Sequence, residues 1–207
     1  KFLLDKFKID TTYKNARGDN CALIACTRVT DLEIIKFLIN QMTDNMKHTQ
    51  ILNERNNNRD TILTCACWKN PNLEIIKYLI DEIHMDITTR DCESNNCLTI
   101  ACWKNPNLDV IKYFVEEKNF VVQKICLYKA IHNINFSVIE YLIEKLNDGV
   151  EYIFGDDVFF FTKTRPMKEI ICLIQRFDVK NIKVNKLCDI VYSHCNDGSP
   201  KTFKDFC

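Results

Sequence analysis

Glycine and proline are scarce, four of each in 207 residues. Sandwiches and barrels consume such residues at their many turns, so the shortage points to helices. Long apolar runs are missing. Runs such as Val158 to Phe161 are short, and none approaches the ~20 residues that cross a bilayer. No basic stretch followed by an apolar one opens the chain, so no secretory leader is expected at Lys1. The first residue is not Met and helix-like text is already under way there, so we expect residues upstream. Charge of one sign is missing too. Lys plus Arg and Asp plus Glu both total 28, which argues against a general nucleic-acid or anionic-membrane binder. Phosphate-cradling Gly-rich loops and the G-x-S-x-G elbow are absent. The four histidines (His48, His84, His132 and His194) are scattered. No nucleophile and base stand at a telling spacing, so no enzyme is expected.

Cysteine, by contrast, is abundant, at 12 residues. Most sit beside Ala or Ile in apolar helical text, where Cys serves as a small core residue. Their spacing fits no zinc pattern, so no metal and no cofactor are expected. Free thiols point to a reducing intracellular compartment.

The chain repeats itself. Residues 66 to 73 read Ala-Cys-Trp-Lys-Asn-Pro-Asn-Leu, and residues 101 to 108 read the same. Ile75-Ile76-Lys77-Tyr78 then answers to Val110-Ile111-Lys112-Tyr113. An earlier copy runs through Ala25-Cys26-Thr27-Arg28 and Ile34-Ile35-Lys36-Phe37. A weaker later copy runs through Ala130-Ile131-His132 and Val138-Ile139-Glu140-Tyr141. Each copy reads as two helices. The first is short and carries small residues, which let neighbouring copies approach closely. The second is amphipathic: Leu73, Ile76, Leu79, Ile80 and Ile83 fall on one helical face. Pro71 and Pro106 sit between the two, where a missing N–H costs little. The Asn/Asp-rich stretches 56–60 and 91–96 read as projecting turns. One such pair cannot bury its stripe alone, so neighbours must cover it.

This pattern resembles the ankyrin repeat over residues 1 to 146. Thr61 and Leu63 match the family's Thr and Leu, Ala66 its first Ala, and Ile75, Ile76, Leu79 and Ile80 its apolar helix. Gly18, Ala25, Ile34, Ile35, Leu38 and Ile39 match in the first copy. The family's Pro is replaced by Cys21, Ile62 and Cys97, and its His by Leu23, Thr64 and Thr99. The Asn-Pro-Asn turn is one residue longer than usual, and an insertion lies near 42–52. The Asn- and Ile-rich text is similar to the ankyrin proteins of giant amoeba viruses. The resemblance implies an all-α ankyrin-type helical repeat solenoid over 1–146, with 147–207 as a degenerate repeat and C-terminal helical cap. Within that cap, 168–177 and 184–195 read as helices.

The resemblance also implies a protein partner in a concave groove. Carried over copy by copy, the groove positions are Thr27 and Arg28, Trp68 and Lys69, Trp103 and Lys104, then Ile131 and His132. The turn tips add Arg17 and Asp19, Asn58 and Asp60, then Glu93 and Asn95. An aromatic or apolar row beside a cationic row suits a partner of acidic and apolar character. The two Trp residues have a plainer reading as well, in which they only pack on each other. Two other functions stay open: a structural or virion-associated role that uses the apolar Val158–Phe161 segment, and nucleic-acid binding along Arg28, Lys69 and Lys104.

Overall fold

A computed structural model describes residues 13–45, 54–146 and 166–176. Among them all regular structure is helical, as the text predicts. The chain divides into two units, Lys1–Val121 and Val122–Cys207.

Among its described residues the first unit holds three helix pairs. They are α1 (Cys21–Arg28) with α2 (Leu32–Asn45), α3 (Ile62–Lys69) with α4 (Leu73–Lys77), and α5 (Cys97–Lys104) with α6 (Leu108–Lys112). The short helices α1, α3 and α5 stack directly on one another. They carry small buried side chains: Ala22, Ala25 and Cys26 on α1, Ala66 and Cys67 on α3, and Ala101 and Cys102 on α5. Each start is fixed by a polar side chain that accepts an orphan N–H. Asn20 Oδ1 accepts from Leu23 N (3.0 Å), Thr61 Oγ1 from Thr64 N (3.2 Å), and Asn96 Oδ1 from Thr99 N (2.9 Å).

The second helices do not stay α-helical. α4 continues into a π-helical turn over Tyr78–Glu82, and α6 into one over Tyr113–Glu117. In the wider turn the Ile83 N–H donates to the Tyr78 carbonyl (3.0 Å) and the Lys118 N–H to that of Tyr113 (3.0 Å). His84 and Asn119 then take left-handed φ values of 59° and 56° and end the helix. The buried face differs from the one predicted from Leu73 to Ile83. Ile75, Ile76 and three consecutive residues, Tyr78, Leu79 and Ile80, are buried, while Leu73 and Ile83 are only half-buried. In the first copy, residues 42–45, read as the start of an insertion, continue α2.

The Asn-Pro-Asn turns join the copies. The Cys67 carbonyl would seek the N–H of residue 71, but that residue is proline. The Asn105 side-chain amide takes the place of that N–H, donating to the carbonyls of Cys67 (3.0 Å) and Asn70 (2.9 Å). One repeat earlier, Asn70 donates in the same way to the carbonyls of Cys26 and Val29, both at 2.8 Å. The second Asn of each turn repeats the device: Asn72 donates to Thr30 O (2.7 Å) and Asn107 to Pro71 O (2.8 Å).

The second unit contains α7 (Lys124–Ala130), α8 (Phe136–Lys145) and α9 (Met167–Arg176). The last fits the helix read over 168–177. Arg176 binds Glu140 (2.8 Å) and Glu144 (2.6 Å), tying α9 to α8. The segments 158–161 and 184–195 lie outside the described residues.

Candidate functional site: a cleft between turn tips and inner helices

Three projecting turns share one design. Asn15, Asn56 and Asp91 each open a five-residue finger, and the side-chain Oδ1 accepts two N–H groups within it. For Asn56 these are Asn58 N (2.9 Å) and Asp60 N (2.8 Å); for Asp91, Glu93 N and Asn95 N, both at 2.9 Å. Each finger needs one left-handed residue: Gly18 (φ 77°), Arg59 (φ 63°) and Ser94 (φ 66°). Only the first copy uses glycine there, the residue without steric cost. The fingers are linked, since Asn57 N donates to Arg17 O (3.0 Å) and Cys92 N to Asn58 O (2.9 Å).

Between the second and third fingers and the helices α3 and α5 lies a cleft of about 200 Å³. Its helical wall includes Trp68 and Trp103, and its finger wall includes Asn58, Asp60, Asp91 and Glu93. Five of the residues expected to face a partner, Asn58, Asp60, Trp68, Glu93 and Trp103, therefore share one cleft. Trp68 is 38% exposed, and Trp103 is half-buried.

The other expected positions fall as follows. Lys69 and Lys104 stand over their neighbouring Trp rings, with Nζ 4.6 and 5.4 Å from the centroids. Neither lysine is among the residues that line the cleft. Thr27 is half-buried and its hydroxyl donates back to the Leu23 carbonyl (2.9 Å), while Arg28 is exposed. Arg17 is exposed at its finger tip, and Asp19 Oδ1 accepts from Asn56 Nδ2 (2.8 Å). His132 is exposed in the second unit.

Two positions need correction. Ile131 is 1% exposed. Helix α7 stops at Ala130, and its end tightens as His132 N donates to Lys129 O (3.2 Å) and Asn133 N to Ala130 O (2.8 Å). That tightening turns Ile131 into the core, whereas Trp68 still lies within its own helix. Asn95 is 6% exposed. Its amide closes the finger by donating to Asp91 Oδ2 (2.9 Å) and Glu93 Oε2 (3.3 Å).

The charge of the cleft also differs from expectation. The lysine row suggested an acidic partner, yet the ionisable lining is acidic: Asp60, Asp91 and Glu93. Burial raises the Asp60 carboxyl above its ordinary value, opposed by a hydrogen bond from Asn56 and reinforced by the negative charges of Asp91 and Asp19. The Cys65 thiol on the helical wall is pushed up to about 12, first by burial and then by Asp60, so it is no nucleophile. Sequence reasoning missed Asp91, Cys92, Thr64, Cys65 and Ile100 in the lining. A signal existed for the helical ones: Thr64 and Cys65 stand four and three residues before Trp68, and Ile100 three before Trp103, on one helical face. Among the described residues no group of three His, Cys, Asp or Glu could hold a metal ion, and no helix is long and apolar enough to cross a membrane.

The family model described as Ankyrin repeats (3 copies) matches residues 1–91 and again 22–125. The chain belongs to the ankyrin-repeat family. No curated protein matches it closely enough to serve as a relative. Ankyrin repeats generally mediate protein–protein interaction and are typically not enzymes. The spacing between these copies is 35 residues (Asn70 to Asn105), against about 33 in the family at large.

Proposed function

We propose that this ankyrin-repeat chain is a binding scaffold whose partner protein seats against the cleft between the fingers and the inner helices. One observation carries the reading: both tryptophans of the chain line that single cleft, opposite three finger carboxylates. Trp buries a large area at low entropy cost and is enriched among the residues that dominate binding energy. The finger wall is held by hydrogen bonds within and between turns, so little ordering has to accompany binding.

Affinity capture from cell lysate tests this, comparing the wild-type chain with folded Trp68→Ala/Trp103→Ala. Capture of a partner by the first and its loss from the second supports the cleft. Equal capture by both moves the site elsewhere.

The Asn- and Ile-rich copies support a finer reading, a protein of a large amoeba virus that engages a host factor. Among the described residues the cysteines are free and six are buried in the core, which suits action inside the cell.

A further inference from the structure

We infer that the cleft between the second and third fingers receives a basic side chain of the partner, arginine ahead of lysine. The inference rests on the cleft being the binding surface and adds the chemistry of what enters it.

Size comes first. Small-molecule pockets run to roughly 300–1,000 Å³, so a cleft of about 200 Å³ suits one long side chain better than a cofactor. Its walls suit a flat cation. Trp68 and Trp103 line its helical wall, and an indole is a surface on which a guanidinium can stack. Across from them the finger wall supplies carboxylates, which a guanidinium meets with paired N–H donors.

The carboxylates are not equally committed. Asp91 spends both oxygens inside its own finger, accepting from Glu93 N, Asn95 N and Asn95 Nδ2. Asp60 Oδ2 accepts one bond, from Asn56 Nδ2 at 3.0 Å. The charges acting on Asp60 are those of Asp91 and Asp19, both negative. Asp60 is thus a half-buried carboxylate among other carboxylates, and an incoming cation would relieve that repulsion.

Nearby cations are engaged elsewhere. Arg55 donates to the carbonyls of Arg59 (2.9 Å) and Arg90 (3.5 Å), and Arg90 to that of Ser94 (2.8 Å). Lys69 and Lys104 lie over the Trp rings without lining the cleft. Their positive charge beside the Trp rings favours a single basic residue set among neutral or acidic neighbours over a polybasic run.

The test uses the full chain and its own fluorescence, because its two tryptophans both report on this cleft. The probes are peptides Gly-Ser-Leu-X-Leu-Ser-Gly with X as Arg, Lys, Ala or Glu. The Arg peptide is expected to shift the emission and to bind about tenfold or more tighter than the Ala peptide at low salt. Lys should fall between them and Glu last. The advantage of Arg over Ala should shrink in about 0.5 M NaCl. It should also collapse in Asp60→Asn/Glu93→Gln, whose circular dichroism should match wild type. Equal binding of Arg and Ala peptides overturns the inference, as does a preference for Glu, an advantage that survives neutralisation, or no response to any peptide. Loss of partner capture in Trp68→Ala/Trp103→Ala, alongside any of those outcomes, would sink the charge assignment and leave the binding surface standing.

Discussion

Replacing Asn105 with alanine probes the joint between the second and third repeats. Asn105 is fully buried. Its amide donates to the carbonyls of Cys67 and Asn70, and its Oδ1 accepts from Asn107 N at 3.0 Å. Alanine deletes these three bonds and leaves the Cys67 carbonyl without a donor, since Pro71 has no N–H. At about 1 kcal/mol for each bond, the expected loss is about 3 kcal/mol. Urea unfolding followed by helical circular dichroism measures it as a lowered midpoint. Asn107→Ala removes the exposed donation to Pro71 O and the cap on Asp109 N (2.9 Å), so about 1 kcal/mol is expected there. Asn105→Asp makes the sharper comparison. It keeps an acceptor for Asn107 N but aims a carboxylate at two carbonyl oxygens, so it should cost more than alanine. A loss below about 1 kcal/mol for Asn105→Ala, or an Asp variant as stable as the Ala one, would refute the reasoning.

Further predictions concern strain, protonation and thiols. Gly18→Ala should lower stability by about 1–2 kcal/mol. Its φ is 77°, and a Cβ would stand 2.7 Å from Asn57 Oδ1 and 3.0 Å from Asn57 N. Ser94→Gly, at φ 66°, should gain about 0.5 kcal/mol, the strain relief being partly offset by chain entropy; thermal melting checks both. The Lys118 ammonium, 2.6 Å away, and the Tyr113 hydroxyl hold the Asp81 carboxyl below its ordinary value. Its contribution is therefore complete above the unfolded carboxylate pKa and fades as pH falls through the lowered folded one, so Asp81→Asn should flatten the acid limb of urea midpoint against pH. Burial and Asp81 push the Tyr113 phenol up to about 12 from 10.0. That contribution is complete below pH 10.0 and fades toward about 12, and Tyr113→Phe should remove this alkaline loss in the same titration. A thiol reagent should modify exposed Cys92 and Cys172 rapidly and buried Cys26, Cys67 and Cys97 only as the fold opens. Cys92→Ser should shrink the fast phase, and an unchanged fast phase would contradict the burial described.

The repeat was legible because the same eight residues recur at 66 and 101, and because small residues keep to the first helix of each copy. Periodicity reports which side chains want cover, and it found the stack of Ala and Cys on that basis. It could not reveal the π-helical turns, which depend on hydrogen bonds made at the helix end rather than on residue type. The Asn-Pro-Asn turns were visible as turns, but that Asn105 supplies the donor Pro71 lacks, and that Asn70 bonds the preceding copy at the matching carbonyls, is a three-dimensional fact. The site was half legible. Register placed Trp68, Trp103, Asn58, Asp60 and Glu93 together, and they share the cleft. Register also assigned Ile131, where a tightened helix end overrides it, and Asn95, whose amide the finger consumes. The lysines misled for a physical reason. A residue next to Trp in sequence can fold over its ring, leaving the cleft to carboxylates from a distant turn.

Calorimetric titration of the captured partner into the wild-type chain, Trp68→Ala/Trp103→Ala, and the back-face control Lys36→Ala/Lys77→Ala tests the central claim most directly. The control removes cations that stand over Tyr78 and Tyr113, at 5.2 and 5.5 Å, on the second helices. The tryptophan variant should weaken binding at least about a hundredfold, as loss of two anchor residues should, while the control binds like wild type. Wild-type affinity in the tryptophan variant, or a loss confined to the lysine control, would contradict it.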